Sequence, residues 1–209
     1  MSGSGSWELN ECAIKIWDLD DRKLLGTESS HWEEISSLAF SRDGDILLSG
    51  AFDKTINVWD IENGKLLKTL IGSKSAVIDV AITNDKEKII SASLNNIITV
   101  WDLNSERKIR EIINVEEDFN LESIVLTPDS KFIVGGLQAE CLKDGGLLKI
   151  WRLSDGELIQ TLPIKQNFSG YYEELANIAI SNNGYFILSA SQERMVKVWM
   201  LFKHYIEDF

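Results

Sequence analysis

Tryptophan recurs five times at the end of a short apolar segment, and this recurrence constrains the fold more than any other feature. The five residues are Trp17, Trp59, Trp101, Trp151 and Trp199, separated by 42, 42, 50 and 48 residues. Apolar and polar side chains alternate before each tryptophan, as in Ile-Asn-Val at 56–58, and this alternation predicts a β-strand. A period of this length is typical of repeat proteins in which every repeat forms one supersecondary unit.

Each repeat carries three further strand signals in a fixed order around the tryptophan strand. An apolar segment comes first, as at 37–41 and 177–181, and it ends in a polar turn with Asp-Gly at 43–44 or Asn-Gly at 183–184. Such dipeptides adopt the positive φ angles that hairpin turns require. A second apolar strand precedes the tryptophan strand, and a short fourth strand follows another turn. We therefore expect each repeat to form one four-stranded antiparallel sheet.

Both faces of such a sheet are apolar, since Leu47 and Leu48 stand side by side on one strand. Each sheet must then be covered on both sides, and radial stacking of like sheets achieves this. We predict an all-β fold, a β-propeller with four full four-stranded blades and a partial one. The single domain would span residues 1–209, with a partial blade at 1–29 and repeats at 30–72, 73–114, 115–163 and 164–209. The partial blade would hold its third strand and, at 4–6, the end of its second.

The dipeptides at the ends of the tryptophan strands carry a family resemblance. Three repeats end in Trp-Asp, at 17–18, 59–60 and 101–102, while the last two end in Trp-Arg and Trp-Met. The chain resembles the WD-repeat family over nearly its whole length. The resemblance implies a buried hydrogen-bonded set of His, Ser or Thr, Asp and Trp in each blade. In the repeat that ends at Trp59, these positions hold His31, Ser49, Asp53 and Trp59.

The other repeats depart from this set. Ser91 and Ser189 keep the hydroxyl of the second strand, whereas Gly135 lacks it. The histidine position becomes Ser73, Glu117 and Tyr171; the aspartate position becomes Asn95 and Glu193, with Asp144 only the nearest acid in the fourth blade. We expect the blade that contains Trp59 to be the most rigidly specified, and the others to depend mainly on apolar packing.

His31, Ser49 and Asp53 are also the residue types of a hydrolytic triad, but a structural interpretation is favoured because they occupy structural positions of a repeat. No Gly-x-Ser-x-Gly motif accompanies the serine. No His/Cys cluster has zinc spacing, and no Asp-rich loop has calcium spacing. The sequence therefore predicts that the chain is not an enzyme and has no metal and no cofactor.

Charge and hydropathy exclude several classes of partner. With 21 basic and 33 acidic residues the net charge is −12, which argues against binding nucleic acid. The sequence contains no run of eighteen apolar residues that could span a membrane, and the N-terminal residues do not have the pattern of a signal peptide. Cys12 and Cys141 match no disulfide or metal spacing, as expected in a reducing compartment. We predict a cytoplasmic protein.

The number of blades does not match the seven at which WD-repeat propellers more often close. We first interpret the chain as a fragment of a longer protein. The alternatives are that it forms an open or five-bladed propeller, or that it completes its ring with another chain. The exposed edges of the first and last blades would favour self-association.

The resemblance implies a scaffold that binds other proteins, with basic segments favoured by the acidic surface. The alternatives are a regulatory or sensor domain split from a larger signalling protein, or a carbohydrate-binding propeller with Phe168, Tyr171 and Tyr172 as its aromatic cluster. Loops on one face of the disc are predicted to bind the partner, together with a projecting stretch at 137–147. The candidate residues on these loops are Trp32, Glu33, Glu34, Glu116, Glu117, Asp118, Phe119, Tyr171 and Tyr172.

Overall fold

The described part of the chain consists of strands joined by turns. The computed structural model describes residues 2–4, 12–18, 20–113, 118–139, 146–164, 175–191 and 196–200. These residues form eighteen β-strands in five antiparallel sheets and no helix. In this part of the chain, therefore, no helix is long and apolar enough to cross a membrane. The predicted all-β class is confirmed.

The chain divides into two compact units at residues 111 and 112. The first unit begins with a three-stranded sheet in the order β1-β2-β3, followed by two four-stranded sheets in the orders β4-β5-β6-β7 and β11-β10-β9-β8. The strands are β1 (Ser2–Ser4), β2 (Cys12–Asp18), β3 (Lys23–His31), β4 (Ile35–Phe40), β5 (Ile46–Ala51), β6 (Thr55–Asp60), β7 (Lys65–Ile71), β8 (Val77–Ile82), β9 (Lys88–Ser93), β10 (Ile97–Asp102) and β11 (Lys108–Ile113), the last of which runs across the division.

The second unit contains one sheet with four described strands, in the order β12-β13-β14-β15, and one with three, in the order β16-β17-β18. The strands are β12 (Phe119–Leu126), β13 (Phe132–Ala139), β14 (Gly146–Arg152), β15 (Leu158–Ile164), β16 (Leu175–Ile180), β17 (Phe186–Ser191) and β18 (Val196–Met200). Trp59, Trp101, Trp151 and Trp199 lie on the third strand of their sheets, as predicted, and Trp17 lies on β2, the middle one of the three described strands of the first sheet.

Three details differ from the sequence prediction. The N-terminal strand placed at 4–6 lies at Ser2–Ser4. The first strand of the third full repeat begins earlier, at Phe119, because β13 extends to Ala139 and pairs with residues 119–121 beyond the bulge between Leu121 and Ser123. The stretch 137–147 is not one projecting loop, since β13 extends to Ala139 and β14 begins at Gly146; residues 140–145 lie outside the described part.

The tryptophan and the residue before it point to opposite faces of each sheet, because side chains alternate along a strand. We call these the tryptophan face and the valine face. In the first unit, Ile56 and Val58 on the valine face of β4–β7 pack against Ile89 and Trp101 on the tryptophan face of β8–β11. In the second unit, the same packing joins a cluster that includes Val134, Leu148, Ile150, Ile178, Ile187 and Trp199.

The first hairpin of each full repeat closes by the same polar turn. A Ser or Thr hydroxyl donates to the side chain of an Asp or Asn two residues later, at 2.5–2.7 Å. The same hydroxyl oxygen accepts a hydrogen bond from the backbone N–H five residues later, at 3.0 Å. The hydroxyl residues are Ser41, Thr83, Thr127 and Ser181. The fourth residue of each turn has positive φ, and it is glycine in the first and last.

Candidate functional site

One chain of side-chain hydrogen bonds joins the four residues that the WD resemblance singled out in the blade of β4–β7. His31 ends β3 and lies 3.0 Å from Asp53 through Nδ1, and its Nε2 lies 2.7 Å from the Ser49 hydroxyl. The Trp59 indole N–H donates to the same hydroxyl oxygen at 2.9 Å. All four side chains are buried. The hydrogen bonds run from Asp53, in the turn between β5 and β6, through His31 and Ser49 to the indole of Trp59.

Asp53 organises the turn that precedes the tryptophan strand. Its Oδ1 accepts from the Thr55 hydroxyl at 2.6 Å and from the Thr55 backbone N–H at 3.0 Å. Its Oδ2 accepts from the Trp32 backbone N–H at 2.9 Å. Burial by itself would raise the pKa of Asp53, but these hydrogen bonds and the nearby His31 together hold that pKa below its ordinary value. The carboxylate form is the one that this site stabilises.

The hydrogen bonds determine the tautomer of His31. A carboxylate only accepts hydrogen bonds, so His31 Nδ1 carries the proton and donates it to Asp53. In a neutral imidazole Nε2 is then an acceptor, and it accepts a hydrogen bond from the Ser49 hydroxyl. This arrangement has the connectivity of a hydrolytic triad. However, Ser49 is fully buried and its oxygen already accepts the Trp59 N–H, so no substrate can reach it. The network supports the blade from inside.

Asn57 extends the network, and the sequence reasoning did not identify it. Its Nδ2 donates to the Ser30 hydroxyl at 2.6 Å, and its Oδ1 accepts from the Thr69 hydroxyl at 2.7 Å. Asn57 therefore links β6 to β7 of its own sheet and to β3 of the preceding sheet. The available signal was the polar residue two positions before the tryptophan, on the same face of the strand as the indole.

The other blades keep only part of this network in the described residues. The Trp101 and Trp199 indole N–H groups donate to Ser91 and Ser189 at 2.9 and 3.1 Å. Ser73, at the histidine position, bonds instead to the Ser75 carbonyl and the Ser93 hydroxyl. At Gly135 a Cβ would lie 2.7 Å from the Trp151 ring, so the indole fills the space that a serine would need.

The first loop of the predicted partner face presents Trp32 to solvent. Its side chain is 87% exposed, although its backbone N–H is held by buried Asp53. Glu33 and Glu34 follow and are exposed, and the Glu34 carbonyl accepts from the Phe52 N–H at 2.9 Å. We call Trp32, Glu33 and Glu34 the Trp32 surface. Exposed Ile71 ends β7 at the same end of this sheet, opposite Thr55, and was not predicted as part of the face.

Of the remaining candidates, the structure describes only Phe119 and Asp118. Phe119 is half-buried and lies within β12 instead of in a loop, and Asp118 precedes it as an exposed turn residue. Glu116, Glu117, Phe168, Tyr171 and Tyr172 lie outside the described residues, as do Glu193, Asp144, Cys141 and His204. Their predicted roles stay predictions.

Cys12 is the one cysteine in the described part of the chain, and its thiol is free. Cys12 is buried beside the network, and burial, followed by the charges of Asp53, Glu34 and Glu33, raises the pKa of its thiol. The unreactive thiol form is therefore favoured. Within the ranges that the structure describes, no three His, Cys, Asp or Glu side chains form a group that could hold a metal ion.

The lowered pKa of Asp53 predicts an acid-dependent loss of stability. The unfolded chain takes up this proton near the ordinary aspartate pKa of about 3.9, before the folded chain does. The stabilisation is therefore complete above that pH and is lost as the pH falls through the folded-state pKa. Between about pH 5 and pH 3, we expect the free energy of unfolding to fall less in Asp53→Asn than in the wild type. Urea unfolding at stepped pH measures this. Exposed Glu33→Gln should follow the wild type, and an unchanged pH dependence in Asp53→Asn would contradict the prediction.

Repeated four-stranded sheets, third-strand tryptophans and a buried His-Ser-Asp-Trp network together define a WD-repeat β-propeller. The model of the NWD2 C-terminal beta-propeller family matches residues 28–204, and the chain belongs to this family.

Known proteins resemble the chain over different extents. Transducin beta-like protein 3 of Rattus norvegicus is 39% identical over 44 residues, which are 21% of this chain and 6% of that protein. The crystal structure of the Cps50 (Swd1) beta-propeller domain of Myceliophteria thermophila matches with a TM-score of 0.78 and 18% identity, over 96% of this chain and 62% of that one. The chain thus spans less than two thirds of either, and the structural likeness shows the fold.

Proposed function

We propose that the chain is a non-catalytic scaffold that binds other proteins, and that the Trp32 surface is a docking site. The observation that carries this proposal is the combination of an exposed indole with an anchored backbone. WD-repeat propellers generally bind proteins and generally lack catalysis. The buried position of Ser49 is in keeping with this, because the one triad-like arrangement described has no access to solvent.

An indole presented in this way suits the anchor of an interface. Tryptophan is enriched among the residues that contribute most to binding energy, and such residues work best when little ordering is needed on association. The Asp53 carboxylate holds the Trp32 N–H, and His31 and Thr55 hold that carboxylate. The backbone of Trp32 is therefore ordered before any partner arrives.

The charge beside the indole favours a basic partner segment. Glu33 and Glu34 are exposed next to Trp32, and the chain carries a net charge of −12. Exposed carboxylates at the rim of an interface accelerate association with positively charged partners. This electrostatic attraction becomes weaker as the salt concentration rises. A cytoplasmic location stays a prediction from the sequence.

We expect Trp32→Ala to reduce affinity for a partner of this surface about tenfold or more, because a central indole anchor is lost. Tagged wild type and variant are compared as baits in extract by quantitative mass spectrometry, and affinities are then measured with purified partners. Leu67→Ala is the matched control, since Leu67 is exposed on β7 and away from the Trp32 loop. If Trp32→Ala binds the same partners as well as Leu67→Ala does, the Trp32 surface is not the docking site.

A further inference from the structure

The backbone of the Trp32 surface is anchored at both of its ends. The Trp32 N–H donates to the Asp53 carboxylate at 2.9 Å, and the Glu34 carbonyl accepts from the Phe52 N–H at 2.9 Å. Phe52 and Asp53 are consecutive residues of the turn between β5 and β6. The three residues of the surface are therefore held along that turn, and the positions from which their side chains project are fixed.

The Trp32 indole presents an open aromatic ring to solvent. The faces of an aromatic ring carry partial negative charge and attract a cation placed over them. A contact of this kind occurs elsewhere in the chain, where the Lys108 ammonium lies 5.4 Å from the centre of the Trp101 ring. Trp32 is 87% exposed, and no cation from the described part of the chain lies over its ring. Its ring is therefore available to a cation from another molecule.

Glu33 and Glu34 add negative charge beside this ring. Both side chains are exposed, and neither forms an ion pair with another described residue. Their fields reach a common point with that of Asp53, because burial and then the charges of these three carboxylates raise the pKa of the Cys12 thiol. Exposed Lys54, which follows Asp53 in the turn, supplies one positive charge against three negative ones. The surroundings of the indole are therefore negative on balance.

An exposed apolar side chain lies at the same end of the sheet. Ile71 is 77% exposed, ends β7 and pairs with Thr55. The Thr55 hydroxyl donates to the same Asp53 carboxylate that accepts from the Trp32 N–H. Since paired residues lie about 5 Å apart and an extended chain advances about 3.3 Å per residue, a segment of about five residues reaches both Trp32 and Ile71.

We propose that the partner segment docks through an arginine, whose guanidinium stacks on the Trp32 indole and donates hydrogen bonds to the carboxylate of Glu33 or Glu34. An apolar residue of the same segment contacts Ile71. This inference rests on the proposed function and names the residue type that the Trp32 surface selects.

The combination of a ring with carboxylates favours arginine over lysine. The guanidinium is planar, so it stacks flat on the indole, and its N–H groups lie in that plane, where they can bond a carboxylate at the same time. The lysine ammonium is a compact and strongly hydrated charge, and it loses more hydration when it is placed on a ring. Either basic side chain would satisfy the charge alone, whereas only the guanidinium uses both parts of the site.

Chemical modification of the partner arginine should weaken docking in a defined way. Citrulline keeps the planar group but has no charge, so the attraction to the ring and to the carboxylates is lost. Asymmetric dimethylation keeps the charge but blocks bidentate hydrogen bonding. We therefore expect the dimethylated segment to bind less tightly than the unmodified one and more tightly than the citrulline form.

Selection of random twelve-residue peptides displayed on phage tests the proposal. The full chain is the target, and peptides that also bind Trp32→Ala are removed. Arginine should be enriched at one position, with an apolar residue within about five positions of it. The best peptide is then synthesised with arginine, dimethylarginine, lysine or citrulline at that position, and affinities are measured by fluorescence anisotropy. Lysine should weaken binding about fivefold and citrulline about tenfold or more.

Two variants of the chain separate the ring from the carboxylates. Trp32→Leu keeps an apolar side chain without a ring, so the preference for the arginine peptide over the lysine peptide should disappear. Glu33→Gln combined with Glu34→Gln keeps the ring, and the difference between the arginine and citrulline peptides should become smaller. Glu62→Gln is the matched control, because Glu62 is exposed in the turn between β6 and β7, at the opposite end of the same sheet. Circular dichroism establishes that each variant is folded.

Three results would overturn the arginine proposal. They are a selection without any peptide that depends on Trp32, a lysine peptide that binds as tightly as the arginine peptide, and an arginine preference that Trp32→Leu retains in full. The second result leaves docking at the Trp32 surface intact. The proposed function itself fails only in the bait comparison, if Trp32→Ala and Leu67→Ala bind the same partners equally well.

Discussion

Trp59→Ala should reduce the free energy of unfolding by about 3–5 kcal/mol. Trp59 is 4% exposed and packs with Ile14 and Leu47 between the first two sheets. Its removal loses the transfer free energy of the ring and leaves a cavity that two sheets can only partly close. It also removes the N–H that the Ser49 oxygen accepts. Urea unfolding followed by circular dichroism measures the loss.

Trp17→Ala is the matched control for this substitution. Trp17 occupies the same position of its strand but is 46% exposed, so less apolar area leaves water when it packs. Its truncation should cost clearly less. If Trp59→Ala and Trp17→Ala lower the free energy of unfolding equally, the buried Trp59 indole contributes no more to stability than the half-exposed Trp17 indole.

His31→Ala should reduce the free energy of unfolding by about 1–3 kcal/mol. The imidazole donates to Asp53 and accepts from Ser49, and both partners are buried. Without it the Ser49 hydroxyl loses its acceptor and the Asp53 carboxylate loses a donor. Leaving buried polar groups unsatisfied costs more than the net value of the hydrogen bonds themselves.

Ser73→Ala tests whether this cost is particular to the histidine. Ser73 occupies the corresponding position of the next blade but is only half-buried, and its bonds go to Ser75 and Ser93. The loss should be clearly smaller than that of His31→Ala. If the two chemical-denaturation midpoints fall by the same amount, the His31 network has no special weight.

The fold could be predicted because its signals are local and repeated. A tryptophan after an alternating segment marks each third strand, and Asp-Gly or Asn-Gly marks two of the first hairpin turns. At Lys86 and Ser130 the same positive φ occurs without glycine, and only the preceding Thr and Asp indicate the turn. The extent of β13 and β14 was harder to predict, because the stretch 137–147 is longer than its counterparts in the other repeats and is therefore expected to project as a loop.

The candidate site could be predicted only in part. The resemblance to WD repeats implies His31, Ser49 and Asp53 by their offsets from Trp59, and the hydrogen bonds join these side chains in the structure. The hydrogen bond from the Trp32 N–H to Asp53 depends on how a loop folds over a neighbouring turn, and spacing carries no information on this.

The repeated polar turn bears on how fast the chain can fold. Each of the four turns closes through contacts within six residues, such as those of Ser41 with Asp43 and Ile46. The entropy lost on closing so short a loop is small, and hairpins of this kind form within microseconds. Stacking of separate sheets joins residues far apart in sequence and is therefore the slower event. Substitution of the turn hydroxyls should slow the early hairpin step, whereas truncation of side chains between the sheets should slow their later assembly.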